Sequence, residues 1–314
     1  MRTPSQNVTP TLPALCTDGS SKRQTWRKGR PVRITTSSAM GRNRDAFMHP
    51  ALPVIHMFWH GPALTRMERL CIASFRAHDH PVQLHVYDEP AGVPAGIDLV
   101  DAERTLPRRL MFRDKRFGSL APFADWFRYR LLHEHGGIWA DTDVVCLKPL
   151  AYPGEEIYSW MDETAINNAV LGLPAGHRLA AWMADCCEQP NRFLPYDNAR
   201  AKRRKLKRRF LQGNGRGNLK WGEYGPDGLT QAVRHFGDAA KALPFWHFFP
   251  IHYRNWHTVF DGSLADNPAI LGESRALHLW NEMTRRSPGF DKNARFPADS
   301  LFEQLCARYL TSDS

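Results

Sequence analysis

The 314-residue chain has no run of eighteen or more apolar residues, so no membrane-spanning helix is predicted. Its start, Met1-Arg2-Thr3-Pro4-Ser5-Gln6, lacks the apolar stretch a secretion signal requires. Cysteine is scarce. The six (Cys16, Cys71, Cys146, Cys186, Cys187, Cys306) show no metal-ligand spacing, and Cys186 and Cys187 are adjacent and badly placed to bridge. Without an export signal, reduced thiols in a cytoplasmic setting are expected. No G-x-x-x-x-G-K loop occurs, which removes one common way of cradling phosphates. No internal repeat is found. What remains is a chain 42% hydrophobic and long enough to bury a sizeable core, for which a single domain over residues 51–314 is the natural expectation.

Charge is unevenly spread around a net value of +10. Residues 1–50 hold nine Lys and Arg against two Asp, are rich in Ser, Thr, Pro and Gly, and have little periodicity. They read as a flexible basic tail. Residues 200–209, RAKRRKLKRR, hold eight basic groups and no acid, and open a basic segment over 200–220. The body left between these runs is mildly acidic. Three readings of the second run stay open: a solvated helix or loop, docking on an anionic membrane surface, and binding of nucleic acid. A basic patch attracts any polyanion, but no interleaved aromatic platform or nucleic-acid motif accompanies it. Specific nucleic-acid binding is therefore not expected, and peripheral attachment at the inner face of a membrane is the favoured reading.

The pattern along the chain predicts an α/β fold. Val54–Trp59 reads as a buried strand, Thr65–Ala77 as a helix, and Gln83–Tyr87 as a second strand, which together open a parallel sheet. A helix is predicted over 121–135, with Pro122 in its first turn and Gly136-Gly137 as its stop. A strand is predicted over 138–146. Further elements follow near Tyr158–Met161, Gly176–Cys187 and Leu229–Phe236, and Asp299-Ser300 caps a last helix through Leu310. Ligands of open α/β sheets sit beyond the carboxyl ends of strands, where Trp59, Asp88, Asp141 and Asp143 fall.

One triplet carries chemistry. Asp141-Thr142-Asp143 is the sole D-x-D in the chain. Side chains alternate along a strand, so both carboxylates are expected on one face, with Ala140, Thr142 and Val144 on the other. Paired acids repel unless a cation lies between them, and hard oxygen ligands suit Mg²⁺ or Mn²⁺. A D-x-D triplet alone arises by chance about once in a chain of this length. Here its context is specific. On the preceding helix Asp125 and Arg128 are three apart and share a face.

The pattern D-x-x-R followed by G-G-x-W-x-D-x-D resembles the sugar-binding region of DXD-containing glycosyltransferases. That group includes family 32 and the α-1,4-galactosyl and α-1,4-N-acetylglucosaminyl transferases, and more distantly the clostridial glucosylating toxins. Other segments resemble the group in the same order: Pro53-Val54-Ile55-His56-Met57-Phe58-Trp59-His60-Gly61, Asn167-Asn168-Ala169-Val170, Trp221-Gly222-Glu223-Tyr224-Gly225-Pro226-Asp227, Phe249-Pro250-Ile251-His252-Tyr253-Arg254-Asn255-Trp256, and Ala276-Leu277-His278-Leu279-Trp280-Asn281. The resemblance covers residues 53–282.

The resemblance implies a GT-A-like nucleotide-sugar-binding fold with a mixed, mainly parallel sheet flanked by helices. It implies a retaining transferase that uses a nucleotide sugar, UDP-linked, with Mn²⁺ or Mg²⁺, and a glycan or glycolipid acceptor. Asp143 is expected to ligate the metal directly. Asp141 is expected at a metal water or at ribose and sugar hydroxyls, and His278 as a further ligand, although the toxins have a serine there. Trp59 is expected to stack on uracil. Asp125 and Arg128 are expected on sugar hydroxyls and phosphate oxygens, and Asn167 or Asn168 on a sugar hydroxyl or the acceptor. Trp280 is expected to donate its indole N–H to the leaving diphosphate, and Asp227 to contact the acceptor. Two rival readings are a protein-glucosylating effector like the toxins and a non-catalytic sugar-nucleotide-binding module.

Overall fold

The computed structural model describes residues 52–152, 156–264 and 271–310. The tail expected over 1–50 lies outside them. The chain runs β1 (Ile55–Trp59), α1 (Arg66–Ala77), β2 (Val82–Val86), β3 (Asp98–Asp101), α2 (Ala121–His135), β4 (Ile138–Ala140), β5 (Val144–Cys146), β6 (Ile157–Trp160), β7 (Ile166–Gly172), α3 (Arg178–Glu188), α4 (Ala199–Leu211), α5 (Pro226–Phe236), β8 (Ala276–His278), α6 (Asn281–Arg286) and α7 (Leu301–Tyr309). Six strands form a sheet in the order β3-β2-β1-β4-β7-β6. The first four are parallel, and β7 runs against both β4 and β6. This is the mixed, mainly parallel α/β sheet expected.

Alternation along the strands sorts the core into two layers. Ile55, Met57, Val82, Leu84, Val86, Ile138 and Ala140 pack with Ile72 and Phe75 of α1. Phe58 and Trp139 point the other way, into a layer with Phe123, Phe127 and Leu131 of α2 and Met183 of α3. A sheet buried on both faces needs near-continuous apolar strands, and β1 and β2 supply them. Each fully buried Phe or Leu contributes roughly 1.5–3 kcal/mol relative to exposure. Also inside are His56 and His85, whose ring nitrogens meet at 3.2 Å.

The double glycine does more than stop α2. Gly136 (φ 69°) donates its N–H to Leu132 O at 2.9 Å, and a Cβ there would lie 2.6 Å from Ala175 N. Gly137 (φ 92°) turns the chain into β4, and a Cβ there would lie 2.9 Å from His56 Nε2. Both positions combine a left-handed backbone with no room for a side chain.

The strand expected over 138–146 is two strands in two sheets. β4 belongs to the main sheet, whereas β5 pairs antiparallel with β8 in a separate ribbon. Beneath the ribbon Val145, Leu277 and Leu279 meet Met67 and Leu70 of α1 and Phe302 and Leu305 of α7. The basic run forms α4, with Lys205 and Arg208 buried, so it is not simply a solvated helix.

Candidate functional site

Asp141-Thr142-Asp143 occupies the turn between β4 and β5, not a strand. Asp141 N–H donates to Ala169 O at 2.8 Å, prolonging the pairing with β7, and Val144 N–H donates to Asp141 O at 3.0 Å, closing the turn. Period-two alternation therefore does not apply between the two aspartates. They converge for another reason. β5 lays Val144 opposite His278 of β8, and Leu279 N–H donates to Asp143 O at 2.8 Å. One potential ligand atom from each of Asp141, Asp143 and His278 lies within 4.8 Å of the others.

Each carboxylate is half used. Asp141 Oδ1 accepts from Arg128 Nη2 at 2.9 Å and from Trp139 Nε1 at 2.7 Å. Asp143 Oδ2 accepts from Asn281 N–H at 2.7 Å and lies 3.0 Å from His278 Nε2. Among the described residues the second oxygen of each has no hydrogen-bond partner, and buried His278 Nδ1 has none either. Buried polar atoms normally have partners. Two half-free carboxylates and an imidazole fit a divalent cation such as Mn²⁺ or Mg²⁺. Burial alone pushes both carboxyls up. For Asp143 the charge and hydrogen bond of His278, with the Asn281 N–H, outweigh burial and hold it below its usual value. For Asp141 burial, reinforced by the Asp143 charge, wins over Arg128 and leaves it raised.

Behind the turn lies a second group. Arg128 is buried under Asn168 and Asp141. One terminal nitrogen donates to Asn168 O and the other to Asp141, with Asp125 at 3.6 Å. Its guanidinium stacks 4.9 Å above the Trp139 ring. Asn168 Nδ2 donates to Asp125 Oδ1 at 2.8 Å and to the Tyr129 hydroxyl at 3.1 Å, and that hydroxyl donates to Tyr224 O at 2.9 Å. Burial raises the Asp125 carboxyl to about 6 against the pull of Arg128 and Asn168. A Cβ at Gly225 would lie 3.0 Å from Asp125 Oδ2, so the glycine lets this segment close over the acid.

The remaining expected residues divide. Asn168, not Asn167, faces Asp125. Asn167 Oδ1 accepts from Ala169 N–H, and its amide nitrogen lies 3.2 Å from Met161 Sδ. Trp59 ends β1, with Lys292 Nζ 5.8 Å above its ring and its indole N–H buried without a partner. Trp280 is buried against His278, but its indole N–H already donates to Ile251 O at 2.8 Å, so it is not free for a diphosphate in this conformation. Its φ of 58° is unusual for a bulky residue, and such strain concentrates at functional sites. Asp227 is exposed and paired with Lys220, and Asp88 is exposed and paired with Arg108. Sequence reasoning missed Tyr129, the Asn281 N–H and Trp139. Trp139 was within reach, because it stands two residues before Asp141 on one face of β4, as alternation requires.

The carboxylate–imidazole cluster is drawn from two separate segments, and each is matched by a glycosyltransferase family model. The glycosyltransferase sugar-binding region containing DXD motif matches residues 109–167, and the alpha 1,4-glycosyltransferase conserved region matches residues 217–312. Together they hold Asp141, Asp143 and His278, and over these two segments the chain is similar to glycosyltransferases of the α-1,4 type. It is similar to the alpha-1,4-N-acetylglucosaminyltransferase of Homo sapiens, at 23% identity over 198 residues, covering 59% of this chain and half of that one. It is also similar to the lactosylceramide 4-alpha-galactosyltransferases of Pongo pygmaeus (26% identity, 65% of this chain and 91% of the relative) and Homo sapiens (24%, 76% and 70%). A solved structure, the PaToxG glycosyltransferase, superposes with a TM-score of 0.40 at 16% identity, over 61% of this chain and 73% of that one.

Proposed function

We propose that the protein is a retaining, divalent-metal-dependent transferase that moves a sugar from a UDP-linked donor to a glycan or glycolipid acceptor. One observation carries this reading: Asp141, Asp143 and His278 converge with unfilled valences beside the Asp125–Arg128–Asn168 group. Asp143, Asp141 and His278 hold the ion. When bound, it acts as a Lewis acid on the leaving diphosphate. Arg128 anchors Asp141 and keeps a fixed positive charge beside the reacting sugar. Asn168 holds Asp125 so that its second oxygen accepts a sugar hydroxyl, and Trp59 offers a flat face at the end of β1 for the base. No general base stands out, and a retaining mechanism of this kind needs none, since the departing phosphate oxygen can take the acceptor's proton.

The acceptor reading rests on the relatives' names and on a cavity of about 390 Å³ next to the Gly222–Gly228 segment. Tyr196, Arg204, Asp227, Gln231 and Arg234 line it, a polar set suited to sugar hydroxyls. Gln231→Ala should raise the acceptor KM and leave the donor KM unchanged, read from initial rates. The transferase reading itself is tested by nucleotide release across UDP- and GDP-sugars with Mn²⁺, in wild type and Asp143→Ala. Turnover should appear with a UDP-sugar and fall at least ~10²-fold in the variant, as for loss of one preorganised electrostatic group. A fully active variant overturns the assignment, and absence of turnover with every donor leaves a binding module.

A further inference from the structure

Helix α4 is amphipathic in an inverted sense. Its inner face is sealed by ion pairs. Lys205 Nζ donates to Asp197 Oδ2 at 2.8 Å and to Arg192 O at 2.9 Å. Arg208 donates to both Glu223 oxygens at 2.7 and 2.8 Å, and its Nε to Asn191 Oδ1 at 2.6 Å. Its outer face carries the apolar side chains. Leu206 is 39% exposed, Phe210 72% and Leu211 78%. Phe193, on the preceding loop, is 42% exposed and lies under the Arg209 guanidinium at 5.6 Å.

The helical period arranges these groups. At 100° per residue, Leu206 and Phe210 are one turn apart and share the outward stripe with Arg203. Lys202 and Arg209 flank it on one side, Arg200 and Lys207 on the other. None of these five cations pairs with an acidic side chain among the described residues. Water gives no reason to hold Leu206 and Phe210 outward between flanking unpaired cations, with Leu211 at the helix end and Phe193 on the loop exposed beside them. An anionic bilayer does: apolar tips enter the acyl boundary while lysine and arginine reach the phosphates.

We propose that the outer face of α4, with Phe193, docks this protein on the surface of a bilayer containing anionic lipid. The inference rests on this helix alone and not on the transferase reading. Nucleic acid would meet the same charge and could stack on Phe210 and Phe193, but exposed Leu206 and Leu211 beside them add apolar surface that suits an acyl boundary and not a base. No helix among the described residues is long and apolar enough to cross a membrane, so attachment here is lateral.

The experiment is flotation of the full-length protein with phosphatidylcholine vesicles, with and without phosphatidylglycerol. Recovery is expected only with the anionic vesicles and falls as salt rises. The exposed triple variant L206S/F210S/L211S should lower the floated fraction at least tenfold with an unchanged thermal midpoint. If that variant unfolds, the charge variant R203E/K207E serves, with the same expectation. Equal recovery from both vesicle types, or wild-type recovery of the folded variants, overturns the proposal. So does tighter binding to a single-stranded RNA oligomer than to anionic vesicles, which would make this a nucleic-acid face.

Discussion

Two clusters of buried charge differ in how their valences are filled. Around α4, Lys205 and Arg208 meet Asp197, Glu223 and Asn191. The Lys205 ammonium and all three nitrogens of the Arg208 guanidinium have acceptors. Around the β4–β5 turn, Asp141, Asp143 and His278 each keep a vacant oxygen or nitrogen, buried Arg128 Nε has no partner, and the two aspartates are shifted in opposite directions. The first arrangement is complete as folded. The second leaves valences open among the described residues. Perturbed carboxylates in a cluster with unfilled valences are what a binding site requires, whereas an ion pair with closed geometry holds structure.

The comparison yields opposite expectations for deletion. Glu223→Ala leaves Arg208 buried without its carboxylate and should destabilise the fold by ~3–5 kcal/mol, measured by urea unfolding. Asp143→Ala leaves the Asn281 N–H without its acceptor and His278 without its partner. It should cost less urea stability than Glu223→Ala, ~1–3 kcal/mol, while turnover falls ~10²–10³-fold, or ~2.7–4 kcal/mol on the barrier. If the stability losses were reversed, the division into structural and functional clusters would be wrong.

How much of this was legible beforehand follows from range. α1, α2, β1 and β2 were readable because caps, glycine stops and apolar period are local. The Pro122 start and the Gly136 stop are where they were expected, and α1 begins at Arg66, with Thr65, expected inside the helix, as its cap. The DXD turn was misread as strand because Trp139-Ala140-Asp141-Thr142-Asp143-Val144 alternates well enough for one. What ends β4 is its exchange of partners, from β7 to the distant β8, and no local pattern encodes that. His278 came from the resemblance, not from spacing, since 135 residues separate it from Asp143. The burial of Lys205 and Arg208 was invisible for the same reason: their acids lie on other elements.

A third buried group tests whether an unfilled valence is enough to mark a site. Among the described residues His85 Nδ1 lacks a partner, yet His56 and His85 are buried in the sheet and belong to no group of three potential metal ligands there. Burial, aided by His135, lowers His56 from 6.5 to about 4, and burial with His56 and His135 lowers His85 to about 3. The unfolded chain therefore binds more protons below pH 6.5. Stability from this pair is whole above that value and is lost as pH falls toward 4, by about 3 kcal/mol for His56 alone. Asp125 acts with the opposite sign. Its folded value of about 6 exceeds 3.8, so its contribution is present in acid and lost as pH rises through 6. Thermal midpoints at pH 7 and pH 4 should differ less in His56→Gln than in wild type. An unchanged difference would mean that the buried histidines do not carry the acid limb.

The smallest effect separates the groups proposed to hold metal from their supports. Trp139 touches no ligand position. It acts through its Nε1–H on Asp141 Oδ1, which leaves the other oxygen free and correctly turned. Trp139→Phe keeps the aromatic packing against Phe127 and Arg128 and removes only that hydrogen bond. Losing a supporting hydrogen bond of this kind weakens metal affinity by ~10–100-fold. Mn²⁺ titration followed by electron paramagnetic resonance should show that loss in the variant, with the urea midpoint little changed. Asp143→Ala should abolish the signal from bound Mn²⁺ altogether. Equal affinity in Trp139→Phe and wild type would show that Arg128 alone orients Asp141, and would reduce the contrast between the two charge clusters to the aspartates and the histidine themselves.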